Sequence, residues 1–252
     1  MHVVAIHGWR EETPELVQSL AGALGIVAFE ARQRLIGGGP SVVASFADPL
    51  QAGVLEKKLG QYGFKALIVD ASAVRNRIGF LVVRRFQLNE WSLRIEALDG
   101  QQAEIPVDGI DLLLPAMSSV SYSESKTVSE RRFSLGKTLL SGGIPMTKKV
   151  ERQEEVSVQE SRRLLYLYAA NRGPLLFSQD GISYDGFGAA MKLSQEQNFT
   201  YLISELRRLS PKAVYDDRLL TRVGQVRLLG PAQSPESSLD LAAEIIARSL
   251  RG

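Results

Sequence analysis

The sequence predicts an α+β protein: an N-terminal β-α-α-β-α-β module, then a small antiparallel β-barrel or sandwich capped by a C-terminal helix. Three observations predict it. Short apolar runs in the first seventy residues alternate with two helix starts of the same form, Thr13-Pro14 and Asp48-Pro49. Runs of alternating apolar residues separated by turn formers then fill 79–114 and 164–184. Finally Phe199, Leu202, Ile203, Leu206 and Leu209 make one helical stripe that ends before Pro211.

Val3 to Ile6 reads as a buried strand. Thr13 caps a helix with proline at its first position; Leu16, Val17, Leu20 and Leu24 form its apolar face, and Gly25 supplies the left-handed residue that closes it. A shorter helix spans about 28–35 and stops at Gly37-Gly38-Gly39-Pro40, read as a turn because it closes a helix and enters a strand, the reverse of a dinucleotide-binding fingerprint. Ser41 to Phe46 is strand-like. Asp48-Pro49 starts a third helix carrying Leu50, Val54, Leu55, Leu59 and Tyr62, Gly63 ends it, and Lys65 to Val69 is the last strand of the module.

This order, with Val4-Ala5-Ile6-His7 followed closely by Thr13-Pro14-Glu15-Leu16-Val17, resembles the fold shared by the N-end-rule adaptors of the Clp protease and the C-terminal domain of the bacterial ribosomal stalk protein. The resemblance covers residues 1–70. In the adaptors, acidic and amide side chains after the first strand hold the amino group of a substrate's first residue. Gly8-Trp9-Arg10-Glu11-Glu12 occupies that turn here, so the resemblance implies Trp9, Glu11 and Glu12 as candidate partner-binding residues. The stalk domain touches translational GTPases through its helical hairpin, which corresponds to 13–35.

Ala71 to Arg77 reads as a polar bridge, with a domain boundary at 74. Beyond it Gly79 to Phe86, Ser92 to Leu98, Ala103 to Val107 and Ile110 to Leu114 read as strands, with Asp99-Gly100 as a turn. Leu164 to Tyr168, Leu175 to Phe177 and Ile182 to Tyr184 read as a three-stranded meander turned at Asn171-Arg172-Gly173-Pro174 and Gln179-Asp180-Gly181. Ser194, with Gln197 three residues on, starts the striped helix. The pattern over 75–211 resembles a pleckstrin-homology-type barrel, which implies strands in two packed sheets with one helix at an open corner. A Ser-rich run at 118–125 and a charged run at 148–163 mark 116–161 as an insertion, within which Phe133, Leu139, Leu140 and Ile144 form an apolar segment, read as a flap packed on the β region or as a candidate partner- or membrane-surface contact. Residues 212–252 form a C-terminal extension ending in an amphipathic helix from Leu239 to Leu250 that must bury its face to be stable.

The 30 basic and 28 acidic residues leave a net charge of +2, too small a field to draw in nucleic acid, which is not an expected partner. No cysteine is present, so disulfides and thiolate chemistry are excluded; with no basic, apolar leader at the start, a cytoplasmic location is expected. Gly136-Lys137-Thr138 lacks the glycine five positions earlier that a phosphate loop needs, where Arg131 stands. His2 and His7, the only histidines, point to opposite faces of the first strand. Glu11-Glu12, Glu154-Glu155 and Asp216-Asp217 read as solvated surface, and no catalytic group, metal or cofactor is expected. Arg75, Arg77, Arg84 and Arg85 cluster at the start of the β region as a candidate anion-binding patch; alternation puts Arg84 and Arg85 on opposite faces. The expected role is that of a non-enzymatic adaptor with a protein partner, the alternative a binder of membrane surface or anionic ligand through the β region and 133–146.

Overall fold

The computed structural model describes residues 1–133, 147–170, 172–230 and 233–251. They fall into two compact units, 1–118 with 162–252, and 119–161.

The larger unit begins with strand β1 (His2–His7), helices α1 (Pro14–Leu24) and α2 (Ala28–Leu35), strand β2 (Ser41–Phe46), helix α3 (Pro49–Gln61) and strand β3 (Lys65–Asp70). The local signals explain these bounds. Thr13 Oγ1 accepts from Leu16 N–H and Asp48 Oδ1 from Leu50 N–H, each satisfying a donor that the helix itself cannot. Gly25, at φ 68°, ends α1 in the left-handed region. β1 lies between β2 and β3, antiparallel to both. Its alternation divides the module: Val4 and Ile6 join Val17, Leu20, Ala31, Leu35, Ala52 and Leu59 under the three helices, whereas Val3 and Ala5 face the other way.

That second face is covered by the far end of the chain. Val3, Ala5, Val42 and Val69 share one buried cluster with Leu239, Ala242, Ala243, Ile245 and Ile246 of the last helix, α7 (Pro235–Arg251). The predicted bridge at 71–77 is largely a helix, α4 (Ala71–Arg75), because Asp70 accepts from the N–H groups of Ser72 and Ala73. Val74, the residue at the expected boundary, is buried in the same cluster as α7.

The β region is a single seven-stranded sheet. Its strands are β4 (Leu81–Leu88), β5 (Ser92–Ala97), β6 (Gln102–Pro106), β7 (Ile110–Phe133), β8 (Thr147–Ala169), β9 (Leu175–Ser178) and β10 (Val214–Tyr215), in the spatial order β10-β7-β8-β9-β4-β5-β6. It is mixed where an antiparallel barrel or sandwich was expected, since β4 runs parallel to β9 and β10 parallel to β7. The third meander strand does not form. Residues 182–184 make only one bridge, Ser183 beside Arg85, and a 3-10 turn over Asp185–Ala190 follows. Gly186 packs so closely on β4 that a Cβ there would lie 2.0 Å from Phe86 O.

One face of this sheet buries Phe86, Leu93, Ile95, Ile105, Leu113, Leu165, Leu167 and Phe177 against Phe199, Leu202, Ile203 and Leu206 of α5 (Gln195–Leu209), the predicted stripe. Ser194 Oγ caps α5 by accepting from Gln197 N–H. On the opposite face Leu112, Leu114, Tyr166, Tyr168 and Leu176 turn to α7 and to Leu228 and Leu229 of α6 (Arg222–Leu229). The larger unit is therefore layered as helices, sheet, helices, sheet, helix, with α7 in the middle. The smaller unit contains the last residues of β7 and the first of β8, so the expected insertion begins inside strands.

Candidate interaction surfaces

Trp9 is committed to the fold: its ring packs on the core beneath the helices, and Nε1–H donates at 2.8 Å to Leu35 O, a carbonyl at the end of α2 that also accepts from Gly38 N–H. Glu12 lies 3.6 Å from Arg32 on α2, and Glu11 is exposed. The three residues that mark the adaptor turn therefore split into one structural side chain, one ion-paired carboxylate and one solvated carboxylate.

The helical layer carries apolar residues whose direction the sequence does not assign. On α3 the inward stripe is Ala52, Leu55 and Leu59, spaced three and seven from the first. That phase turns Leu50 and Val54 outward, 78% and 68% exposed, side by side at i, i+4. At the start of α2, Val27 and Phe29 are 63% and 71% exposed while Ala31 and Leu35 face the core. Four apolar side chains thus stand in solvent on the helices of one small module.

The four arginines do not form one patch. Arg75 and Arg77 line a cleft between α4 and the start of α7, where Arg77 Nε–H donates to Asp240 Oδ2 at 3.0 Å. Arg84 and Arg85 sit at a β-bulge, where the register with β5 slips between Val83 and Arg85. The extra residue lets Val83 and Phe86 both face the core and leaves both arginines exposed, overturning the expected alternation. Arg85 also lines an open groove of about 650 Å³ across β4, β5 and β6, floored by charges already matched across the strands: Arg94 to Glu104 at 3.1 Å and Arg85 to Glu96 at 3.9 Å. Phe133 ends β7, and Leu139, Leu140 and Ile144 lie outside the described residues.

One constellation had no clear sequence signal. Tyr166 O–H donates to Asp240 Oδ1 at 2.5 Å, and Tyr168 O–H reaches Glu244 Oε2 at 3.5 Å, with Arg77 and Arg248 on the outer sides of the two carboxylates. Burial, reinforced by the adjacent carboxylate, holds both phenols protonated well above the usual tyrosine range. Two tyrosines two apart on a strand and two acids four apart on a helix were the available signals; their meeting depends on the fold. His7 is pushed below its ordinary value by partial burial and then by Lys65. Among the described residues no three His, Asp or Glu side chains gather as a metal site, and no helix is long and apolar enough to cross a membrane. Compared with known protein families, curated proteins and solved structures, the chain matches none of them.

Proposed function

We propose that this chain is a non-enzymatic adaptor that binds a protein partner through the helices covering the first sheet. The observation that supports the reading is the outward pair Leu50 and Val54, with Val27 and Phe29 on the same helical layer. Desolvating apolar groups favours association by about 25 cal/mol per Å², and aromatic anchors contribute most at protein interfaces. The resemblance of residues 1–70 to the stalk domain implies contact through 13–35, which includes Val27 and Phe29; the turn that the adaptor resemblance implies has Trp9 serving the fold instead of a partner.

The test is photo-crosslinking in cells from a probe at position 54 of the full chain. A discrete adduct of defined mass is expected, and it disappears in the Leu50→Asp, Phe29→Asp variant while the melting temperature stays within about 2 °C, since exposed substitutions move stability by about 0.5 kcal/mol or less. Unchanged adducts in that variant, or no adduct at all, overturn the reading. A second reading, binding of anionic surfaces, draws on the exposure of Arg84 and Arg85 at the bulge; it requires salt-sensitive binding to anionic vesicles that Arg84→Ala, Arg85→Ala removes.

A further inference from the structure

The outer edge of β6 is where the sheet has hydrogen-bonding capacity left over. β6 is the last strand in the sheet order, with no neighbour beyond it among the described residues. The β5–β6 hairpin shows which of its groups are spent. Ala97 N–H donates to Gln101 O and Val107 N–H to Trp91 O, while Ile95 stands opposite Ala103 and Leu93 opposite Ile105. Antiparallel pairs alternate between bonded and non-bonded, so the odd-numbered residues of 101–107 bond inward to β5. The N–H and C=O groups of Gln102 and Glu104, and the C=O of Pro106, therefore point away from the sheet, and all three residues are exposed.

We propose that this edge pairs with the same edge of a second copy of the chain, antiparallel, about a two-fold axis through Ala103. The register follows from the groups available. Centred on Ala103, Gln102 faces Glu104 of the second copy and Glu104 faces its Gln102, so each chain's two free donors meet two free acceptors and four backbone bonds form. Centred on Glu104, like charges would stand directly opposite, which is unfavourable. The side chains fit the first register. Within one chain Arg94 stands opposite Glu104 and Glu96 opposite Gln102. Across the pair the row reads Arg94, Glu104, then Gln102 and Glu96 of the second copy, which sets an amide donor between two carboxylates and leaves no like charges adjacent. Antiparallel pairing also brings the hairpin end bearing Trp91, 82% exposed, beside the end of the second copy bearing Leu98, 64% exposed.

The chain has no cysteine, so one introduced thiol reports the register. Ala103 opposite Ala103 is a non-bonded pair with Cα atoms about 4.5 Å apart, inside disulfide range. Sedimentation of the full chain is expected to show a dimer, and Ala103→Cys to link it covalently on mild oxidation. Gln102→Glu faces Glu104 of the second copy twice per dimer and raises the dissociation constant about tenfold; Gln102→Lys lowers it. Circular dichroism and the melting temperature confirm that each variant folds. A chain that stays monomeric, an Ala103→Cys chain that stays unlinked, or a dimer that responds to Leu50→Asp but not to Gln102→Glu overturns the proposal, the last by placing self-association on the helical layer.

Discussion

Helices α5 and α7 look alike as sequence, each amphipathic and each following a polar segment, yet they occupy different places. α5 covers one sheet with a narrow stripe, Phe199, Leu202, Ile203 and Leu206, and leaves Ser204, Arg207 and Arg208 in solvent. α7 has a sheet on either side: Leu239, Leu241, Ala242, Ala243, Ile245, Ile246 and Ala247 are all buried, which takes up most of its circumference. What remains is the strip with Asp240, Glu244 and Arg248, and that strip receives the hydroxyls of Tyr166 and Tyr168. A helix between two sheets needs small residues where the strands approach and partners for every polar group it keeps; a helix on one sheet needs neither.

The comparison can be broken most directly at the large side chains. Phe199→Ala in α5 and Ile246→Ala in α7 should each cost about 2–5 kcal/mol in denaturant unfolding, because both are fully buried. Only the α7 change should loosen the first module as well, read as faster amide exchange in β1 and β3. A smaller effect separates the helices by overpacking. Ala243→Leu should cost about 1–3 kcal/mol, since Ala243 is fully buried and a larger side chain overpacks a filled core, whereas Ser204→Leu on the exposed side of α5 should stay within about 0.5 kcal/mol.

The smallest effect sharpens the role of the polar strip. Burial and the neighbouring carboxylates raise the Tyr166 and Tyr168 pKa values, so the protonated phenols are favoured in the folded state. Their contribution is fully present below the unfolded tyrosine value of about 10 and is lost as pH rises above it. Alkaline unfolding should therefore steepen above pH ~10 in the parent chain and less so in Tyr166→Phe, which loses about 1 kcal/mol at neutral pH with the bond to Asp240. Equal alkaline slopes in the two proteins would show that the tyrosine does not link α7 to the sheet.

Much of the first module is legible because its signals act over three or four residues. Thr13 and Asp48 cap the helices they announce there, and beyond that module Ser194 does the same for α5, whose predicted stripe is the buried one. Legibility fails where a single residue changes the phase. The bulge at Arg84 puts two arginines in solvent together, and the inward phase of α3 is carried by Ala52, a weak apolar signal, so the apolar residues of that helix do not by themselves separate the outward Leu50 and Val54 from the buried Leu59. Residues 182–184 have the composition of a strand but only one bridge to β4.

The α+β class, the β-α-α-β-α-β order and the ends of the three helices within it follow from the sequence, because caps, prolines and short periodicities are local interactions that hold in almost any context. Tertiary structure decided that the last helix covers the back of the first sheet, that Arg77 and Tyr166 share Asp240 across 163 and 74 residues of chain, and that β6 stands last in its sheet among the described residues. Such contacts are chosen by which buried faces and unpaired groups remain once the local elements exist, and that choice belongs to the whole chain.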